Sequence, residues 1–373
     1  MNDRMALIFA NIDNSTMDLF TSARSLGALP FGGRYRLIDF TLSSLVNSGV
    51  ESVGVPVREK YQSLLDHIGI AREWDLDRRT GGFSFLPPFA FHQASPYDTK
   101  LKALIGSESY LVKNHAEYIF LCEPDIIANL DLDALLRRHI EEHNDVTYLT
   151  IPRGAKNLRG TYDTCFKTDA SGRVISIGAE CGDLAYSLLS TGVAVMSRVL
   201  LLDLISFARV SSYDYFETDL LSRYVSTLKI GCVDHTGYIS KIRTLYDYFE
   251  ASMDMLEPDI RRDVFFKNGH IYTKTHADVP VLYGLDSVVR QSLIADGSSI
   301  EGRVSQSIVF RRVKLGKNAD IASSIVMQDS VIGEGAILRY CITDKNVRVA
   351  PGAHIIGEPS RPRLLTKGQS YTE

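Results

Sequence analysis

The segment from Asn11 to Leu26 lies where an α/β protein holds a phosphate. It directly follows a short apolar run, MALIFA, of the kind that forms a buried first strand. A phosphate loop needs glycines, because they let backbone N–H groups close on the anion and adopt positive φ at little cost. This segment contains none. Ile12 is β-branched, Asn11 and Asn14 only tolerate left-handed geometry, and Asp13 and Asp18 add negative charge. The segment runs into PFGGRYRLIDF, residues 30–40, which reads as a specific piece of enzyme machinery. His67 in LLDHIG and His354 in PGAHIIG are the histidines that invite a catalytic role. A histidine on a β-helix suggests acyl transfer, but His354 lies in the last coils behind a complete α/β domain, so that role is not assigned. The aromatic stretches WDLDRR and FSFLPPF read as packing or subunit contact.

These residues need elements to position them, and the hydrophobic pattern supplies two kinds. Up to about residue 250, strand-like and helical runs alternate. MALIFA, ESVGVPV, AEYIFLC and NDVTYLTI are strands. RLIDFTLSSLVNSGV is helical with Ile38, Leu42, Leu45 and Val46 on one stripe, KYQSLLDHIG is helical, and DLDALLRRHIEEH carries Leu132, Leu135, Leu136 and Ile140 at helical spacing. Such alternation predicts a Rossmann-like α/β domain, a mostly parallel sheet with helices on both faces. From about residue 285 β-branched residues recur six apart, as Ile294 to Ile300, Val331 to Ile337 and Val349 to Ile355, with glycines and small residues between. That period predicts stacked coils of a β-helix. The expected division is an α/β domain over 1–265, a linker over 266–285, and a β-helix with its tail over 286–373.

Composition narrows the function classes. A length of 373 residues allows two domains, and a hydrophobic content of 45% with 23% charged residues is that of an ordinary globular protein. A net charge of −4 gives no electrostatic reason to expect nucleic acid or an anionic membrane as partner. The five cysteines, Cys122, Cys165, Cys181, Cys232 and Cys341, form no CxxC pair and read as reduced thiols. With no apolar run near the roughly 20 residues of a membrane span, the expected location is the cytoplasm.

The stretches ALPFGGRYRLIDFTLSSLVNSGVESVGVPV (Ala28 to Val57) and YQSLLDHIGIAREWDLDRRTGGFSFLPP (Tyr61 to Pro88) resemble bacterial glucose-1-phosphate adenylyltransferases, and the resemblance extends over nearly the whole chain. It implies a nucleotidyltransferase domain followed by a left-handed hexapeptide β-helix. It also implies formation of ADP-glucose and pyrophosphate from ATP and glucose 1-phosphate with magnesium, in tetramers tuned by metabolites. Within the family the chain resembles the regulatory D-type subunit of glycogen synthesis, because its motif positions are changed.

Aligned without gaps from Pro30, the family's glycine-rich loop falls on Ala10 to Met17, with Asn11, Ile12 and Asn14 at glycine positions and Ser15 between. The loop arginine falls on Thr16 and the motif lysine on Leu26. Those cations neutralise charge on departing pyrophosphate. PDIIANLD matches the family's magnesium segment, with Asp125 at the metal carboxylate, Asp131 six residues on and Pro124 in place of a glycine. In GYISKIRT the second metal aspartate is replaced by Lys241. An ammonium cannot coordinate magnesium, so Lys241 is expected to pair with Asp125 and fill the metal site. On the sugar side the Glu-Lys-Pro grip is absent, STG (Ser190 to Gly192) remains, and DTKLKA (Asp98 to Ala103) stands for another pocket segment. The resemblance places Arg34 and Lys345 at basic positions that bind phosphorylated effectors between the two domains, with Arg36 beside them.

The expected function is therefore a regulatory, catalytically deficient adenylyltransferase subunit. No cofactor is expected in this chain, magnesium belonging to a catalytic partner subunit in a heterotetramer, with a phosphorylated metabolite as effector. Two other readings stay open: an active sugar-1-phosphate nucleotidyltransferase with a rearranged site, and a stand-alone metabolite-sensing scaffold.

Overall fold

The computed structural model describes residues 3–10, 17–87, 98–155, 158–179 and 181–372. The loop positions Asn11, Ile12, Asp13, Asn14, Ser15 and Thr16 lie outside them, as do Pro88, Phe89 and the side chain of Asp18.

The strand Arg4–Ile8 is apolar on both faces because both are covered. Ala6 and Ile8 enter one buried cluster, Met5 and Leu7 the other. Gly82–Leu86, Ser52–Pro56, Arg4–Ile8 and Tyr118–Cys122 lie side by side, all parallel. Leu188–Ser197 runs antiparallel to Tyr118–Cys122 and to Val146–Pro152, which pairs parallel with Ile230–Asp234. The parallel arrangement expected from alternation thus holds through the first four strands. It gives way where the hairpin Cys165–Thr168 and Val174–Gly178 brings the chain back directly, without a crossover helix.

The helix Leu37–Asn47 is buried from Leu37 to Leu45. Its first turn is held by Asp39, whose carboxylate accepts the Arg36 backbone N–H at 3.0 Å, and the chain leaves through Gly49 at φ +77°. The helix Leu132–Glu141 starts at Asp131, which accepts the Ala134 N–H at 2.8 Å. Its buried stripe is Leu132, Leu135, Leu136 and His139. Ile140, expected on that stripe, is exposed. His139 takes the inward place by bonding to Thr147 Oγ1 at 2.9 Å and standing edge-on to Tyr118. Trp74 is buried and donates to Ser43 Oγ at 3.2 Å, while Phe83 and Phe85 stack edge-to-face.

From Leu282 onward, strands of two or three residues stack into three parallel sheets of six, five and five, a left-handed β-helix. Ile300 pairs with Leu315, Leu315 with Ile332, and Ile332 with Val349, so one inward aliphatic column runs through successive coils. The six-residue echo Val331 to Ile337 finds two sides of a coil but is one residue out of phase: Ile332 and Leu338 are the buried ones.

The two parts share a core. Phe20, Leu26, Phe31, Phe40, Tyr248 and Phe249 of the α/β part pack with Ile308, Phe310, Ile325, Met327 and Ile342 of the β-helix. Full burial of such side chains is worth about 1.5–3 kcal/mol each. No helix among the described residues is long and apolar enough to cross a membrane.

Candidate functional site

The strand Tyr118–Cys122 delivers Glu123 and Asp125 at its carboxyl end, the edge where open α/β sheets hold their ligands. Opposite them lies the strand Ile239–Lys241, antiparallel to Ile126–Ile127 with Lys241 in register with Ile126. The Ile242 N–H donates to the Asp125 carbonyl at 2.7 Å, locking the two segments together. On its other side this strand pairs with Leu158–Gly160, and only glycine fits at 160: a Cβ there would lie 1.9 Å from the Lys241 carbonyl oxygen.

Lys241 is buried, and its Nζ lies 2.5 Å from Glu123 Oε2 and 3.5 Å from Asp125 Oδ2. Arg243 reaches the same carboxylates, with Nε 2.9 Å from Asp125 and Nη2 3.0 Å from Glu123, and extends to Asp163 at 2.6 Å. Lys100 completes the group, 2.5 Å from Glu217 and 3.7 Å from Glu123. Burial alone pushes the Glu123 carboxyl up, but Lys241, Lys100 and Arg243 override it and hold it down to about 2. Asp125 is pushed up by burial against the pull of Lys241 and Arg243. Burial opposes charge on Lys241, yet Asp125 and Glu123 outweigh it and raise its pKa; Glu217 and Glu123 do the same for Lys100. Glu123 thus accepts hydrogen bonds from Lys241 and Arg243, whereas Asp125 stands at ion-pair distance from both with no hydrogen bond to either carboxylate oxygen among the described residues.

The arrangement does not fit magnesium. That ion needs oxygen ligands, and the oxygens of Asp125 and Glu123 face an ammonium and a guanidinium. Among the described residues, no group of three or more His, Cys, Asp or Glu side chains is arranged to hold a metal ion. The sugar-side remnant is occupied as well. Ser190 is buried and its Oγ accepts the Gly192 N–H at 3.1 Å. A Cβ on Gly192, whose φ is +84°, would meet Glu123 Oε2 at 2.6 Å and Lys241 Nζ at 2.9 Å. The Glu123–Lys241 pair fills the space above Gly192.

Leu26, at the position of the motif lysine, is buried in the core shared with the β-helix. Asn11, Ile12, Asn14, Ser15 and Thr16 fall outside the described residues. Glu123, Lys100, Arg243 and Glu217 were not singled out from sequence. The available signal was local for two of them, since Glu123 stands two residues before Asp125 and Arg243 two after Lys241.

A second group of cations sits at the seam of the two parts. Arg24 Nη2 donates to both oxygens of Asp344, at 2.7 and 2.6 Å, and both residues are buried. Arg36 donates to the carbonyl of Ser63 and, at 2.8 Å, to its Oγ. Burial, then Arg36 and Arg24, bring Lys345 down to about 7, with Lys367 contributing in the same direction. Burial also lowers Arg36 to about 10, Asp39 working against the shift and Arg24 with it. The structure therefore brings Arg36 and Lys345 together with Arg24 and Lys367. Arg34 is exposed, and its charge acts on Arg311, another β-helix residue.

Residues 19–257 match the nucleotidyl transferase family, and residues 283–362 match the GlmU-like C-terminal hexapeptide family. The chain is 32% identical to the glycogen biosynthesis protein GlgD of Bacillus subtilis (strain 168), covering 95% of this chain and 93% of that protein. It is 34% identical to the GlgD of Geobacillus stearothermophilus over 86% of this chain and 83% of that one. A glucose-1-phosphate adenylyltransferase of Bacillus cereus is 27% identical, with 94% of each chain covered.

Proposed function

This chain belongs to the nucleotidyl transferase family that holds the GlgD-type glycogen biosynthesis proteins and the glucose-1-phosphate adenylyltransferases, and on that premise we propose that it is a regulatory, catalytically deficient subunit acting in glycogen biosynthesis. It pairs with a catalytic glucose-1-phosphate adenylyltransferase chain in a heterotetramer.

One observation carries this reading: Lys241 and Arg243 are ion-paired to Asp125 and Glu123 where nucleotidyl transfer needs a divalent metal. Their charge is already spent on buried carboxylates, so it is not free to meet a triphosphate, and opening the pairs would leave Asp125 buried without a cation and Glu123 with Lys100 alone. With Leu26 drawn into the seam core, the second cation of the motif is gone too. The seam cluster of Arg24, Arg36, Lys345 and Lys367 supports the regulatory half of the proposal. Arg24 already holds Asp344, Asp39 and Asp66 act on Arg36, and Lys345 lies mainly among cations, so a phosphorylated metabolite would supply negative charge there.

The test is the purified chain alone with ATP, glucose 1-phosphate and magnesium, read by pyrophosphate release. The expected result is turnover far below the roughly 1–1000 per second of ordinary enzymes. Brisk release would establish an active enzyme with rearranged groups and overturn the proposal. Lys241→Asp alone is not expected to restore turnover, because Arg243 still covers Asp125. Co-expression with a catalytic relative should yield a complex whose response to phosphorylated metabolites differs from that of the catalytic chain alone. Failure of the two to associate would remove the subunit role.

A further inference from the structure

Two of the five cysteines meet across a hairpin outside both groups of cations. Cys165 opens the strand Cys165–Thr168, is buried, and stands opposite Gly178 on one side and Leu189 on the other. Its Sγ donates to the Gly178 carbonyl at 3.3 Å. Cys181 comes just after the hairpin's second strand, Val174–Gly178, and is half-buried. The two side chains are hydrogen-bonded, the Cys181 thiol donating to the Cys165 sulfur.

The chain around Cys181 is held in place from two sides. Arg153 Nη2 donates to the carbonyls of Cys181 at 2.5 Å and Asp183 at 3.2 Å, and its Nε donates to that of Tyr186 at 2.9 Å. The Tyr186 ring lies on Gly178, where a Cβ would stand 2.8 Å from it, and its hydroxyl is 3.1 Å from Ser176 Oγ. The segment 181–186 is thus folded back onto the strand that pairs with Cys165. A disulfide joins only cysteines whose side chains point at one another, and this hairpin supplies such a pair. Cys341, by contrast, donates to the carbonyls of Arg339 and Ile355, at 3.1 and 3.3 Å.

We propose that Cys165 and Cys181 form a modification site, a dithiol that hydrogen peroxide closes reversibly to an intrachain disulfide. The peroxide reaches the half-buried Cys181 first. The Cys181 thiolate takes one peroxide oxygen as the O–O bond breaks, leaving a sulfenic acid, and the departing hydroxide takes a proton to become water. The Cys165 sulfur then attacks the Cys181 sulfur. The S–S bond forms as the S–O bond breaks, and the Cys165 proton leaves with that oxygen as a second water. Two thiols and one peroxide give one disulfide and two waters, two electrons passing from sulfur to oxygen. Burial raises the pKa of both thiols, and at Cys181 the hydrogen bond to Cys165 raises it further. Closure is therefore slow near neutral pH and quickens as thiolate forms. It ties the segment 181–186 to Cys165–Thr168 and so to Leu188–Ser197, the strand that carries Ser190 and Gly192 beneath the Glu123–Lys241 pair. The inference is independent of the function proposed above, since an active enzyme would hold the same two thiols.

The test treats the reduced full chain with an excess of hydrogen peroxide, then quenches, unfolds, alkylates and maps it by peptide mass. The expected product is a Cys165–Cys181 linkage lighter by two hydrogens and undone by dithiothreitol, with Cys122, Cys232 and Cys341 alkylated. Its rate should rise about tenfold per pH unit between about pH 7 and 9. The closed form should unfold about 3–6 °C above the reduced chain, because the cross-link restricts the unfolded state. Cys181→Ser should abolish that shift and leave Cys165 open to alkylation, while the mapping of the wild type needs no variant at all. Sulfinic acid on Cys181 beside an alkylated Cys165 overturns the proposal, since Cys165 would then have failed to reach the sulfenic acid. So does a linkage of either residue to another cysteine, or survival of both thiols at about pH 9.

Discussion

The two groups of cations differ in how their charge is met. At the carboxyl end of Tyr118–Cys122, Lys100 and Lys241 hold their protons more tightly than usual, because Glu217, Glu123 and Asp125 outweigh the burial. At the seam, burial drives Lys345 to about 7 and Arg36 to about 10; Arg36 and Arg24 add to the shift at Lys345, while at Arg36 the carboxylates of Asp39 and Asp66 oppose it. The first group carries its counter-ions within the fold. In the second, Asp344 is held by Arg24 and Asp39 and Asp66 act on Arg36, so Lys345 is left with mainly cations around it. A cation of raised pKa is a structural partner, while one of lowered pKa gains from an anion brought from outside. On the function proposed above, the first group serves as part of the core, and the seam is where a ligand response is expected.

The comparison breaks most visibly if the first group can be opened without harm. Lys241→Met leaves Glu123 and Asp125 buried with fewer cations, and loss of one partner from a buried ion pair costs about 3–5 kcal/mol. Denaturant unfolding should show a loss of that size at neutral pH. No loss, or a gain in stability, would mean that these carboxylates are better hydrated than the distances imply. Acid titration gives the next largest effect. The Glu123 carboxyl is depressed from 4.5 to about 2, so its contribution is complete above about 4.5 and disappears as pH falls through about 2. That difference is on the order of 3 kcal/mol. Stability measured against pH should fall more steeply in this window for the wild type than for Glu123→Gln.

Much of the fold can be read from the sequence, because hydrophobic period depends on geometry that every strand and helix shares. The limits appear where a polar group takes an inward place, as His139 does ahead of Ile140, or where a period marks a side but not its phase, as with Val331 beside Ile332. The site was less legible for a different reason. Lys241 stands out because it replaces a carboxylate in a recognisable segment. Lys100 and Glu217 reach the same group from elsewhere in the chain, and a charged letter in a sequence does not say whether it ends in water or against a buried partner. The Arg24–Asp344 pair joins residues 320 positions apart and depends on how the β-helix seats against the α/β part. Leu26 could be read as a lost lysine, but its place in the shared core required the seam itself.

The smallest effects sharpen the comparison most, because they should carry the opposite sign. Between about pH 7 and 10.5 the unfolded chain holds a proton at Lys345 that the folded chain has given up. Stability contributed by this group therefore rises with pH across that window, the reverse of what an acceptor-paired lysine would do. Lys345→Gln should flatten the rise and, near pH 6, leave the protein as stable or slightly more so, unlike Lys241→Met. Ligand binding should follow the charge in the other direction. Sulfate, doubly charged throughout, is the suitable probe, and its calorimetric affinity should weaken severalfold as pH passes from about 6 to 8 and Lys345 becomes neutral. In Lys345→Gln the affinity should start lower and change little with pH, with Arg36 still supplying a guanidinium. Sulfate binding that ignores both pH and this substitution would show that Asp344 and solvent already meet the seam's charge, and the contrast between the two groups would fall.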